Sequence, residues 1–250
     1  LKFDQQTDAQ EPASDEADTR KPVTQFRVEG LGGAITEMTF TPGFFATLEE
    51  QIAEENAKDG KDFQTLAFSQ ARMSVYFTGS SYDWGSLDPN PGDGETGSPL
   101  MSLIKEMDAA PNRLGLYTNY KSLTPISDYA YTYEQNYSTT LAYGGYVNRS
   151  RGCYVINITG YLQQLWNNYI KAKTAAGAEY PDPEDPDFDA KYAVWEKAID
   201  WDGIKYRTVY IGPEAYSVYT NSFGVLQGAS TDEKSLECPI RFDLAYNLIK

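Results

Sequence analysis

The chain has 250 residues, 41% hydrophobic and 23% charged, which suits one folded domain, or two small ones, whose core needs no metal or disulfide to hold it. Thirty-six acids against 21 bases give a net charge of −15. That balance argues against nucleic acid as a partner, because such binding depends on cationic side chains displacing counterions. There is no histidine, so Ser–His–Asp and Cys–His catalysis and His-ligated metal centres are excluded.

Residues 1–22 carry six acids and three bases without periodicity and read as a flexible N-terminal arm, leaving 23–250 as a single domain. Thr24–Val28 and Ala34–Phe40 read as short strands, with Gly30, Gly32 and Gly33 in the turn between them. A helix is expected to open at Thr47, whose spacing to Glu50 matches a capping box, and to stop at Gly60. Met73, Val75 and Phe77 then alternate with polar neighbours as in a half-buried strand. From 79 to 98 the pattern lapses into five glycines and two prolines, which marks an inserted loop. Pro99–Met107 reads as a short helix and Asn112–Tyr117 as a strand.

Eight tyrosines between Tyr117 and Tyr146 are spaced by Ser, Thr and Asn, the composition of amphipathic antiparallel strands. Tyr154–Ile158 is a strand that passes at Thr159 into a helix. Its pairs Tyr161/Leu162, Leu165/Trp166 and Tyr169/Ile170 share one face, with Gln163, Gln164, Asn167 and Asn168 expected to face out. A second insertion, 175–202, holds the proline-stiffened acidic loop Asp182–Pro186 and a helix marked by Phe188, Tyr192, Trp195 and Ile199. Strands resume at Tyr206–Ile211 and Val225–Leu226. In the closing stretch Ile240, Phe242, Leu244, Tyr246 and Leu248 alternate with Arg241, Asp243, Ala245 and Asn247. Many short strands separated by turns predict a mainly β fold, an antiparallel jelly-roll-like β-sandwich with two or three inserted helices. No run of about 18 apolar residues is present, as a membrane-spanning helix would need.

Taken in order, several segments resemble an uncharacterised family of Bacteroidetes outer-membrane lipoproteins. They are Leu31-Gly32-Gly33-Ala34-Ile35, Ala71-Arg72-Met73-Ser74-Val75, Pro111–Tyr117, Ile126-Ser127-Asp128-Tyr129, Tyr154–Gln163 and the closing strand through Tyr246. The layout is also similar to jelly-roll carbohydrate-binding modules, in which a strand enters an "ITxxL" helix, here Ile158–Leu162, and a late strand ends in Tyr. The resemblance spans residues 24–250. It implies a β-sandwich at a bacterial cell envelope, on the outer membrane or the extracellular surface, with a lipid anchor outside this chain and no known catalysis.

Candidate chemistry is sparse. Tyr82-Asp83-Trp84 on the Gly-rich loop combine an aromatic platform with a carboxylate, the mixture that stacks on a sugar ring and accepts from its hydroxyls; the alternative is that Trp84 folds back as a lid on the core. Asp88, Asn90 and Asp93 have partial calcium-loop spacing, although Gly92 stands where the third acid belongs, and a solvated turn is the competing reading. No other cofactor is implied. Asp182, Glu184, Asp185, Asp187 and Asp189 form a second acidic cluster, more commonly a wet loop. Tyr117, Tyr120, Tyr129, Tyr131 and Tyr133 could line a groove or be one buried face. Cys153 and Cys238 are either a disulfide, in an oxidising compartment, or two buried thiols. The function expected is non-enzymatic, with no catalytic residues: an envelope protein that binds a glycan or a partner outer-membrane protein. The alternatives are a carboxylate-dependent polysaccharide hydrolase and a purely structural envelope subunit.

Overall fold

The computed structural model describes residues 2–6, 24–31, 33–80, 98–129, 140–214, 220–228 and 240–250. Among the described residues helix and strand hold equal shares, 34% each, so the fold is mixed, with five helices there where two or three were expected. In chain order the elements are β1 (Lys2–Gln6), β2 (Gln25–Glu29), β3 (Ile35–Thr39), α1 (Pro42–Asp59), β4 (Thr65–Tyr76), α2 (Pro99–Ala109), β5 (Leu114–Asn119) and β6 (Thr124–Pro125). They continue with α3 (Thr140–Tyr143), β7 (Gly144–Asn148), β8 (Cys153–Asn157), α4 (Thr159–Ala176), α5 (Phe188–Ala198), β9 (Thr208–Pro213), β10 (Phe223–Gln227) and β11 (Arg241–Ile249).

Every strand pairing is antiparallel. The strands form a five-stranded sheet in the order β1-β3-β9-β5-β6, a four-stranded sheet in the order β11-β4-β8-β7, and the pair β10-β2. Isolated bridges tie them together: Phe77 to Leu226 joins the end of β4 to β10, and Arg113 to Tyr146 joins the start of β5 to β7. The glycine-rich turn after β2 therefore carries the chain from one sheet to another rather than closing a hairpin. Lys2–Gln6, read from the sequence as part of the arm, pairs with β3 at the edge of the five-stranded sheet, while residues 7–23 lie outside the described residues.

One hydrophobic cluster draws on all three sheets and the helices, including Phe26, Met38, Phe45, Met73, Leu116 and Trp166. The alternation expected of the closing strand is present in β11, whose apolar residues Phe242, Leu244, Tyr246 and Leu248 turn towards that core. β11 pairs with β4 along its length, and a bulge at Ser69 shifts the register between Ala245 and Tyr246.

Two local expectations change. Helix α1 opens at Pro42, ahead of Thr47: proline at the first helical position has its φ preset and lacks only an N–H that would have no intrahelical partner. Thr47 lies inside the helix, where its hydroxyl donates to the Gly43 carbonyl at 3.0 Å. Gln163, expected to face solvent, instead covers a strand edge. β8 pairs only with Arg72–Tyr76 of β4, and beyond that point the Ala71 and Phe68 N–H groups donate to Thr159 Oγ1 (2.9 Å) and Gln163 Oε1 (2.8 Å) of α4. Helix side chains thus complete the ladder where the neighbouring strand ends, which satisfies donors that burial would otherwise leave unpaired.

Candidate binding site

The site lies where the two larger sheets meet. Gly144 and Gly145 take φ of +78° and +79°, a region that glycine enters without penalty. A Cβ on Gly144 would run into the Val155 carbonyl and one on Gly145 into the Leu114 carbonyl, so both positions need a residue without a side chain. This close approach brings Arg113 beside Gly144, and its Nε donates to the Gly144 carbonyl at 2.8 Å. Arg113 is only 5% exposed, and its guanidinium sits 4.5 Å from the Tyr146 ring and 5.4 Å from those of Tyr129 and Tyr143. Such cation–π contacts gain strength when desolvated.

In front of this cation is a pocket of about 160 Å³ whose walls come from Leu116, Tyr117, Leu123, Tyr129, Tyr143 and Glu214. Tyr129 and Tyr143 meet edge to face, 5.2 Å apart at 89°. Tyr117 donates to the Pro213 carbonyl at 2.7 Å, and the Tyr143 hydroxyl accepts from Leu116 N at 2.8 Å. Glu214, 5% exposed, accepts from the Tyr129 hydroxyl at 2.8 Å. Burial pushes the Tyr117 phenol well above the usual tyrosine range; Glu214 and Tyr129 push it further and Arg113 partly offsets them. Leu123, in the pocket wall, holds φ at +48°, a left-handed conformation that is costly for a leucine and of the kind concentrated at functional sites.

Asp128 lies next in sequence to Tyr129 but is committed elsewhere. Its Oδ1 and Oδ2 accept from Gly160 N and Tyr161 N, each at 2.7 Å, so it anchors the first turn of α4. Burial raises its carboxyl above the usual range despite these hydrogen bonds, which pull the other way. A broader concavity of about 830 Å³ opens between the end of α4, the acidic loop and α5. The acids there bind their own surroundings: Asp182 accepts from Glu184 N, and Asp185 from Asp187 N and from Lys191. The Lys191 ammonium, then the Asp187 N–H, hold the Asp185 carboxyl below its usual range.

Tyr82, Asp83 and Trp84, and the calcium-loop residues Asp88, Asn90 and Asp93, lie outside the described residues. Among the described residues no group of three or more acids or cysteines is placed to hold a metal ion. Cys153 is buried against Tyr76 and Val155, and Cys238 lies outside the described residues. Of the tyrosine run, Tyr117 and Tyr129 enter the pocket, Tyr120 packs on Tyr210 at 5.2 Å, and Tyr131 and Tyr133 lie outside the described residues. Sequence reading missed Arg113, Tyr143 and Glu214; the charge of Arg113 inside the expected strand Asn112–Tyr117 was the available signal, and Glu214, just past the end of a strand, carried none.

Compared with protein-family models, curated proteins and solved structures, the chain matches none. Among the described residues no helix is long and apolar enough to cross a membrane.

Proposed function

We propose that this protein is a non-enzymatic binding domain of a bacterial cell envelope, built as a jelly-roll-like sandwich, and that it holds a glycan by one terminal ring in the Tyr117–Tyr129–Tyr143–Glu214 pocket. The observation that carries the reading is the pocket itself. Its 160 Å³ is close to the roughly 150 Å³ of a cavity that holds benzene, so it suits one six-membered ring and no more. Aromatic walls with few fixed polar groups are the usual make-up of small-ligand sites, and tyrosine faces suit the C–H face of a sugar. The sandwich reading is supported by the uniformly antiparallel pairing and by two larger sheets that contribute to one core. The envelope address is supported by the ordered strand motifs that resemble Bacteroidetes lipoproteins.

The test is binding to a broad glycan array by the wild-type protein and by Leu123→Trp, which fills the pocket from a half-buried wall position. Wild-type retention that the variant loses at an unchanged melting temperature supports the reading. Silence of the wild type across the array overturns it.

A further inference from the structure

We propose that the free edge of β11 is a docking site, separate from the pocket, for an extended segment of another polypeptide. That segment adds antiparallel to the sheet, carries apolar residues at alternate positions and has a net positive charge. β11 runs nine residues along the margin of the four-stranded sheet, paired on one side with β4 and with no other strand among the described residues. The bulge that shifts this pairing is at Ser69 in β4, so β11 itself is uninterrupted.

Alternate residues of a strand direct their backbone groups to opposite edges. The Ala245 carbonyl accepts from Ser69 Oγ and the Ile249 carbonyl from Gln64 N, so the odd-numbered residues face β4. Phe242, Leu244, Tyr246 and Leu248 therefore turn their N–H and C=O groups outward, where no hydrogen bond meets them among the described residues. A row of such groups is a template for another strand, and proteins ordinarily blunt it with proline, lysine, bulges or shortness. β6, two residues long and ending in Pro125, and β7, five residues with a broken register, are blunted in this way. β11 contains neither proline nor lysine.

The same four residues offer half-buried side chains on the core face. Phe242 packs on Phe40 and Phe44 at 5.8 and 5.9 Å, and Tyr246 on Phe68 at 6.4 Å. An added antiparallel strand sets its own alternate residues beside them and extends this apolar layer; its main chain supplies affinity and its alternation selectivity. Charge decides between occupants. Arg241 and Asp243, the only charges within β11, pair with each other. The Tyr246 hydroxyl donates to Gln51 on α1, whose amide donates to the exposed Glu54. With a net charge of −15, a second copy of the chain is repelled and a basic segment attracted.

The experiment is calorimetric titration of the protein with the peptide Thr-Val-Lys-Val-Thr-Val-Lys-Val-Thr, acetylated and amidated at its ends. Control peptides carry glutamate for lysine, N-methyl groups on the valines, whose N–H groups meet β11, or N-methyl groups on the lysines, whose N–H groups face away. The lysine peptide is expected to bind, with the glutamate and valine-methylated forms about tenfold or more weaker and the lysine-methylated form within about threefold. Leu244→Pro removes an outward N–H without taking one from the β4 ladder, and is expected to weaken binding about threefold or more. No binding of the lysine peptide, or equal binding of its valine-methylated form, overturns the proposal. So does undiminished binding by a Leu244→Pro protein that melts cooperatively. Wild-type self-association in sedimentation that Leu244→Pro abolishes assigns the edge to a second copy and overturns the proposed occupant. The peptide comparisons on wild type stand even if the variant does not fold.

Discussion

The ring of Tyr117 lies back across Gly115, two residues earlier on β5: a methyl group at Gly115 would stand 2.5 Å from the Tyr117 hydroxyl oxygen and 2.6 Å from the carbon that bears it. Residues two apart on a strand share a face, so the missing side chain at 115 is what lets the ring fold down along the sheet. There its hydroxyl reaches Pro213 on β9 and the residue forms part of the pocket wall.

Gly115→Ala should therefore lift Tyr117 into the pocket. Overpacking of this kind costs about 1–3 kcal/mol, and ring binding should disappear. Because the clash is with Tyr117, the double variant Gly115→Ala/Tyr117→Ala should lose less stability than the two single losses added together. A double-mutant cycle from urea denaturation checks this, and strict additivity would contradict the contact.

Asp128→Asn poses a choice between charge and geometry. Asparagine escapes the desolvation that raises the Asp128 carboxyl, but it has one oxygen for the two N–H groups of Gly160 and Tyr161. The unmatched donor should dominate, with a loss of about 1–3 kcal/mol seen as a lower melting temperature. The folded carboxyl titrates above its unfolded value, so its contribution is fullest below pH of about 3.9 and is lost as pH rises through the elevated folded value. That slope should be present in the wild type and absent from Asp128→Asn.

Glu49 on α1 is buried and receives both the Tyr169 hydroxyl and the Lys173 ammonium of α4, each at 2.6 Å. Lys173→Ala leaves the carboxylate without its cation and should cost on the order of 3 kcal/mol, the lower end for breaking a buried pair, because Lys173 keeps 18% exposure. Adding Glu49→Gln should restore much of the loss. Guanidinium-chloride midpoints give the measurement; a single variant as stable as wild type would show that the pair contributes nothing.

Alkali should unfold the protein abruptly. Burial pushes the phenols of Tyr117, Tyr143, Tyr154, Tyr161 and Tyr169 far above the usual tyrosine range. Below pH of about 10 both folded and unfolded states hold these protons, and the stability they support is intact. Above it the unfolded chain releases them and the folded one does not, so each costs about 1.4 kcal/mol per pH unit. Five together can exhaust a stability of about 5–15 kcal/mol within roughly two pH units. Tyrosinate absorbance and circular dichroism should then change together, and ionisation of these tyrosines with the dichroism intact would contradict the burial.

The chain itself determined what depends on near neighbours. The periodicity at 153–157 and 159–176 fixed β8 and α4, Ser98 followed by Pro99 opened α2, and the strict alternation after Ile240 gave β11 its inward face. Such patterns report which side of an element is buried, and that is a matter of residues two to four apart. Tertiary structure decided which elements meet. Nothing near Gln163 announces that it will complete the edge of β4, 95 residues away, nor near Tyr129 that its hydroxyl will reach Glu214, 85 residues on. The tyrosine run was visible as composition, yet only the pairing of β5 with β9 and the glycine contact at 144–145 sorted Tyr117, Tyr129 and Tyr143 around one pocket. Local sequence sets periodicity and caps; a binding pocket is made by distant side chains that only long-range packing brings together.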